Sequence, residues 1–308
     1  MCIRDRSLTA TNVVIVAGKG GVGKTTVTAV IARAASRDGR RVLVIELDGK
    51  PTLDQLLDGD SPSDAGSVDV IHISAADALD EYLREHGFAR VAKRLNKTGV
   101  IDMVGTAAPG IDDVVVLGKV KSFERSGDYD LIVVDGPAAG HAITFLTSAT
   151  GLANAVRSGP VRTQSDEVIE LLTDVDRCQV VLVALPETTP VNEVVETAFA
   201  LEDDVGVQLG PIVINNVDTG VALPSIEREA SARRGLDAET DAIVGDAAAF
   251  RRSRRAMDRA EIDRLAADLP LDQVILPAQP VAGLKSDDIE QLVDHLVGLD
   301  DPDRLEGS

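Results

Sequence analysis

Nine residues near the start of the chain, Gly18-Lys19-Gly20-Gly21-Val22-Gly23-Lys24-Thr25-Thr26, follow directly on the apolar run Val13-Val14-Ile15-Val16-Ala17. This arrangement constrains the fold more than any other feature of the sequence. It calls for a buried strand, a tight loop, and a helix whose N-terminus points into the hollow of that loop. Gly20, Gly21 and Gly23 lack a Cβ, so the backbone can curl until successive N–H groups face inward. A hollow of amide donors at the positive end of a helix suits phosphate oxygens. Lys24 adds a point charge for β- and γ-phosphates, and the Thr25 hydroxyl is an oxygen donor for Mg²⁺.

Gly18, Gly23, Lys24 and Thr25 satisfy the Walker A pattern G-x-x-x-x-G-K-[ST], and the strand-to-helix context is the one the pattern requires. The second lysine narrows the class. Lys19 resembles the signature lysine of the deviant Walker A ATPases, which include MinD/ParA proteins, nitrogenase-type reductases and ArsA/Get-type ATPases. In that group the lysine reaches across a dimer interface onto the partner's nucleotide, a role like that of an arginine finger. The alternative is a lysine solvated in its loop.

Short β-branched runs recur at Val13–Ala17, Val42–Ile45, Val68–Ile73, Leu131–Val134, Val180–Leu185 and Pro211–Ile214, with a shorter one at Val274-Ile275. Fully apolar runs alternating with helical patterns, such as Thr25–Arg37, Val191–Leu201 and Asp287–Val297, predict an α/β fold. Its sheet is mainly parallel and covered by helices on both faces. We expect one domain over residues 8–300, with helical insertions within 75–128 and 141–177 and a further one at 219–268. The acidic tail spans 301–308. Residues 1–7 are set aside, because Met1–Arg6 resemble adapter read-through rather than native sequence.

Geometry then delivers a second group to the loop. A helix over Thr25–Arg37 carries the chain roughly 20 Å away at about 1.5 Å per residue, and a strand over Arg41–Glu46 returns it. Asp48 arrives at the carboxyl edge of the sheet, where ligands of open α/β sheets sit, and Asp135 arrives there after Leu131–Val134. Two carboxylates beside a triphosphate suit Mg²⁺ and water placement.

With these positions in hand, nearly the whole chain resembles the ArsA/Get-type ATPases, which implies a P-loop NTPase fold. Asp135-Gly136-Pro137-Ala138-Ala139-Gly140-His141 resembles that family's switch II segment, Asp-x-x-Pro-x-Gly-His, with the proline one place early. Ala107-Ala108-Pro109-Gly110-Ile111-Asp112-Asp113 resembles its Pro-Gly-x-Asp-Glu motif. Ile214-Asn215-Asn216 resembles its adenine-reading segment. The resemblance implies that Gly20, Gly21, Val22, Gly23, Lys24, Thr25 and Thr26 hold the phosphates. Thr25 would bind Mg²⁺, Asp135 would hold a magnesium-bound water, and the Gly140 amide would sense the γ-phosphate. Asn215 would read the adenine edge, and Asp48 and Lys19 would be the catalytic residues. Glu46-Leu47-Asp48-Gly49-Lys50-Pro51 departs from the family's Asp-Pro and is similar to an actinobacterial branch. So are Gly159-Pro160-Val161-Arg162 and Leu185-Pro186-Glu187-Thr188-Thr189-Pro190-Val191-Asn192-Glu193. Proteins of that branch are often encoded beside an unequal paralogue, which implies a heteromeric pair.

Charge and sulfur restrict the remaining classes. A net charge of −20 over 308 residues opposes non-specific nucleic-acid binding and adsorption to anionic lipid. The basic cluster Arg251, Arg252, Arg254, Arg255 and Arg259 lies among acids, so it reads either as a solvated helix face or as a surface for an acidic partner. With Cys2 in the set-aside segment, Cys178 is the remaining thiol. It can supply neither a disulfide framework, nor a CxxC site, nor an iron–sulfur ligand set, nor the clustered thiolates that bind trivalent arsenic. No apolar run reaches the roughly 18 residues of a membrane helix, and no signal peptide is visible. The expectation is a cytoplasmic, Mg²⁺- and ATP-dependent ATPase acting as a homodimer or as a heterodimer with a paralogue. It would act on a possible protein client, without nucleic acid and without stable membrane insertion. A nucleotide-binding regulatory subunit and a MinD/ParA-like positioning ATPase are the alternatives.

Overall fold

The β-branched runs pair into one eight-stranded sheet among the described residues, every pairing parallel. Its strands are β1 (Val13–Gly18), β2 (Val42–Glu46), β3 (Val68–His72), β4 (Leu131–Ala138), β5 (Cys178–Ala184), β6 (Gln208–Leu209), β7 (Ile212–Val217) and β8 (Gln273–Pro277). Their order is β3-β2-β4-β1-β5-β7-β8, with β6 alongside β5. The structure, a computed structural model, describes residues 8–47, 52–58, 66–87, 110–221 and 235–298. Each expected strand is present, but pairing rather than composition sets its ends. β4 runs on through Asp135 to Ala138 because Ala138 still pairs with Gly18, and β5 begins at Cys178 opposite Val13. The two-residue β6 carries too little pattern to be read from sequence.

Nine helices are described: α1 (Lys24–Arg37), α2 (Thr52–Leu57), α3 (Ala75–Glu85), α4 (Ile111–Ser126), α5 (Ala139–Ala155), α6 (Pro160–Thr173), α7 (Thr188–Asp204), α8 (Ala238–Asp268) and α9 (Ser286–Gly298). Alternate strand residues face opposite layers. Val14, Val16, Val44, Val133 and Val183 pack under α1, α2 and α9. Ile15, Leu43, Ile45, Ile132 and Leu182 pack under α3 to α7. Both faces are therefore apolar, as a parallel sheet requires. The described helices within 75–128 and 141–177, two of the ranges expected as insertions, belong to that second layer, with α4 packed against α3, α5 and α6. Helix α5 starts directly after β4, and α6 starts at Pro160, whose fixed φ suits a first helical turn. Among the described residues no helix is long and apolar enough to cross a membrane.

Strand β1 lies between β4 and β5, and the chain leaves it to either side. The carboxyl end of β1 is thus the point where neighbouring connections diverge, which is where open α/β sheets bind their ligands.

Candidate nucleotide site

The loop after β1 lies at that point. Gly21 and Gly23 have φ of 86° and 90°, which side-chain-bearing residues rarely adopt. Close packing excludes a side chain as well. A Cβ on Gly18 would lie 2.4 Å from the Val183 carbonyl oxygen, and one on Gly23 would lie 2.2 Å from Asn215 Nδ2. Helix α1 begins at Lys24 and buries ten of its 14 residues, so its N-terminus is held firmly against the loop. Lys24 Nζ reaches back to the Lys19 carbonyl at 3.4 Å, across the mouth of the loop.

Thr25 and Asp135 meet as the sequence predicts. Thr25 Oγ1 donates to Asp135 Oδ2 at 2.8 Å, and Thr28, one turn further along α1, donates to Oδ1 at 3.5 Å. The register between β1 and β4 slips here, with Val16 opposite Asp135 and Gly18 opposite Ala138. The extra residue kinks β4 just after the carboxylate, a usual device for aiming a side chain at a site.

A polar row continues across the sheet edge. Glu46 sits in register with Asp135 on one side and His72 on the other. Its carboxylate is 2% exposed and lies 2.7 Å from His72 Nδ1, while His72 Nε2 lies 3.2 Å from Asp54 Oδ2 on α2. Burial pushes the Glu46 carboxyl pKa up; His72 opposes the shift, and Asp135 and Asp54 add to it. The sequence places Glu46 beside Asp48 as the next carboxylate in line for the same role, and it does not mark Thr28 or His72. Thr28 could have been found from its one-turn spacing after Thr25.

Asn215 reaches the loop from the far side. Its Nδ2 donates to the Val22 carbonyl at 2.9 Å. Asn216, at φ 62°, is the one side-chain-bearing residue with positive φ among those described, and the β7–β8 register shifts beside it. Asparagine tolerates this conformation better than most residues. The kink turns Asn215 toward the phosphate loop, so the residue expected to read adenine also tethers the cradle. Gly140 lies in the first turn of α5, where amides are not yet bonded within the helix. His141 follows it and lines a cavity of about 200 Å³ with Asp112 and Asp113. Burial raises the Asp113 pKa, Asp112 reinforces the shift and His141 opposes it.

Lys19 lies with its ammonium 2.5 Å from Glu193 Oε1 on α7. The basic cluster is likewise occupied within the chain. Arg251 holds Asp218 through two contacts of 2.6 and 2.8 Å, Arg254 holds Glu187, and Arg255 donates to the Gly220 and Val221 carbonyls. These arginines clip α8 to the loops that follow β5 and β7. Cys178 is fully buried and its thiol pKa is pushed up to about 12 by burial, so it offers no thiolate at neutral pH. Asp48, the switch I residue, and Ala107–Pro109 of the Pro-Gly motif lie outside the described residues.

Residues 11–162 match the anion-transporting ATPase family. ATPase BagA of Mycobacterium tuberculosis is 31% identical over 218 residues, which are 65% of this chain and 64% of that protein. A protein of Halobacterium salinarum, named as a candidate arsenical pump-driving ATPase, is 24% identical over 306 residues, 92% of this chain and 44% of its own length. The arsenical pump-driving ATPase of Escherichia coli is 29% identical over 207 residues, 66% of this chain and 34% of its own length. The chain thus spans just under two thirds of BagA and smaller fractions of the other two. The matched segment contains the phosphate loop, Glu46, Asp135 and Gly140. Residues 11–162, which carry the phosphate loop and its surroundings, thus match an ArsA-type P-loop ATPase domain.

Proposed function

We propose that the chain binds ATP with Mg²⁺ and hydrolyses it, and that the bound nucleotide drives pairing with a second copy or a paralogous chain to act on a protein client. The observation that carries this reading is the 2.8 Å contact between Thr25 Oγ1 and Asp135 Oδ2 at the foot of a glycine cradle. A hydroxyl and a carboxylate beside inward-facing amides form a hard-oxygen donor set, which fits Mg²⁺ and its retained waters. Mg²⁺, when bound, would neutralise phosphate charge. The remaining work falls to the chain's own groups. The amides from Gly20 to Thr26 and the Lys24 ammonium would hold the β- and γ-phosphates. Asp135 would hold a magnesium-bound water, and the Gly140 amide would sense the terminal phosphate. Asp48 would orient the attacking water, Asn215 would read the adenine edge, and Lys19 would reach the neighbour's nucleotide.

Arsenic(III) export is not part of the proposal, because the buried Cys178 cannot present a thiolate. A nucleic-acid partner is disfavoured by the net charge of −20.

Two substitutions separate binding from turnover. Lys24→Ala should weaken Mg²⁺-ATP binding by about 10–100-fold in calorimetry, since a charge-assisted contact is lost from the cradle. Asp48→Asn should leave that affinity nearly intact and slow turnover by about 10²–10⁴-fold. Unchanged affinity in the first variant would overturn the cradle assignment. Normal turnover in the second would overturn the role of Asp48. Tight binding without turnover by the unmodified isolated chain, restored on adding the paralogue, would make it the regulatory member of a pair.

A further inference from the structure

Lys19 is expected to act outside its own chain, yet its ammonium already has a partner within it. The pairing follows from the fold. Gly18 pairs with Val183, so helix α7, which follows β5, rises beside the phosphate loop. Pro190, Val191, Val194, Thr197, Ala198 and Leu201 bury the inner face of α7, which fixes the backbone that carries Glu193. Glu193 therefore stands still at the rim of the loop, and Lys19, 174 residues away in sequence, is the flexible member that comes to it.

We propose that Glu193 is a positioning residue for Lys19. In the unpaired chain it holds the ammonium against α7, and association must exchange this carboxylate for the phosphate oxygens of the neighbour's nucleotide. The proposal rests on the reading of Lys19 as a group that acts in trans. Its location at the rim supports the exchange. The Lys19 and Glu193 side chains are 37% and 34% exposed, so water reaches the pair and weakens it. A pair of this kind shifts an equilibrium by about twofold to fivefold. In a symmetric dimer two such pairs open, which multiplies to about 4–25-fold. That is enough to suppress association of chains without nucleotide and too little to prevent association once phosphates are offered. Lys24 is not a substitute for Lys19 here, because it folds across its own loop toward the Lys19 carbonyl.

The test uses the full chain as wild type and as Lys19→Ala, Glu193→Gln, Glu193→Asp and the Lys19→Ala/Glu193→Gln double variant, with melting curves to establish that each is folded. In the nucleotide-free chain, acylation of Lys19 by an amine-reactive ester is followed by mass spectrometry. Glu193→Gln should raise it about twofold to fivefold, and Glu193→Asp should bring it back toward the wild-type level. Sedimentation with Mg²⁺-ATP should show Glu193→Gln associating about 4–25-fold more tightly. That gain should vanish in the double variant, because without the ammonium there is nothing to release. The proposal is overturned if Lys19 labelling is unchanged in Glu193→Gln, if association weakens, or if the gain persists without Lys19. A Lys19→Ala chain that associates and hydrolyses ATP like wild type would overturn the trans-acting reading instead. The labelling arm reads the restraint even where the chain does not associate with itself.

Discussion

Helices α1 and α8 are secured in opposite ways. Helix α1 buries ten of its 14 residues between the sheet and α9, where ion pairs from Arg33 and Arg37 to Glu290 add to an apolar contact that runs along the helix. Helix α8 buries only Asp258 and Leu265 of its 31 residues, and is tied down through Arg251, Arg254, Arg255 and a Thr188–Glu261 hydrogen bond. Ile243, Phe250 and Met257, on the same stripe of α8, are exposed. Burial of apolar area holds a helix in one place over its whole length, whereas rim ion pairs hold it at points and weaken with salt. The helix that presents the phosphate cradle is thus rigid. The helix clipped to the loops around it can shift at small cost.

The largest effect expected from this contrast is on stability. Ile31→Ala, at a site 1% exposed under the sheet, should lower unfolding free energy by about 2–5 kcal/mol in denaturant titration. A loss below about 1 kcal/mol would mean that α1 is not anchored by its core.

A smaller effect is expected from the α8 clip. The hydrogen bonds from Arg251 hold the Asp218 carboxyl pKa down to about 2. A carboxylate whose folded pKa is depressed contributes stability that is fully present above its unfolded pKa of about 4 and is lost as pH falls toward 2. NMR titration of the Asp218 carboxyl carbon should place its midpoint well below the usual range, and Arg251→Gln should return it to about 4. An ordinary midpoint in the wild type would show that the clip is open in solution.

The smallest effect should come from Phe250→Ala, a large truncation at a position 73% exposed on α8. It should change stability by less than about 0.5 kcal/mol in the same titration used for Ile31→Ala. A larger loss would reveal packing on α8 that the contrast denies and would bring the two helices closer in kind.

The site was legible to the same uneven degree. The string from Gly18 to Thr26 and the ends of the apolar runs identified the cradle and brought Asp135 to Thr25, because strand and helix lengths leave the chain few other routes. The arginines of α8 could not be assigned. Their sequence neighbours are acids on the same helix, while their main partners, Asp218 and Glu187, lie in distant loops. Glu193 stood inside a recognisable string, but nothing in its spacing linked it to Lys19.

The sequence by itself determined the parallel sheet, the phosphate loop and the carboxylate that meets it. These follow from local periodicity, from the glycines that a tight loop needs, and from the fixed rise of helix and strand. Only the tertiary structure decided which charges meet. It set Lys19 on Glu193, tethered the loop through Asn215, placed Glu46 between Asp135 and His72, and clipped α8 to the loops after β5 and β7. The physical reason is that apolar burial is non-directional and leaves a periodic trace along the chain. An ion pair or a side-chain hydrogen bond depends instead on the separation of two atoms that may be 174 residues apart.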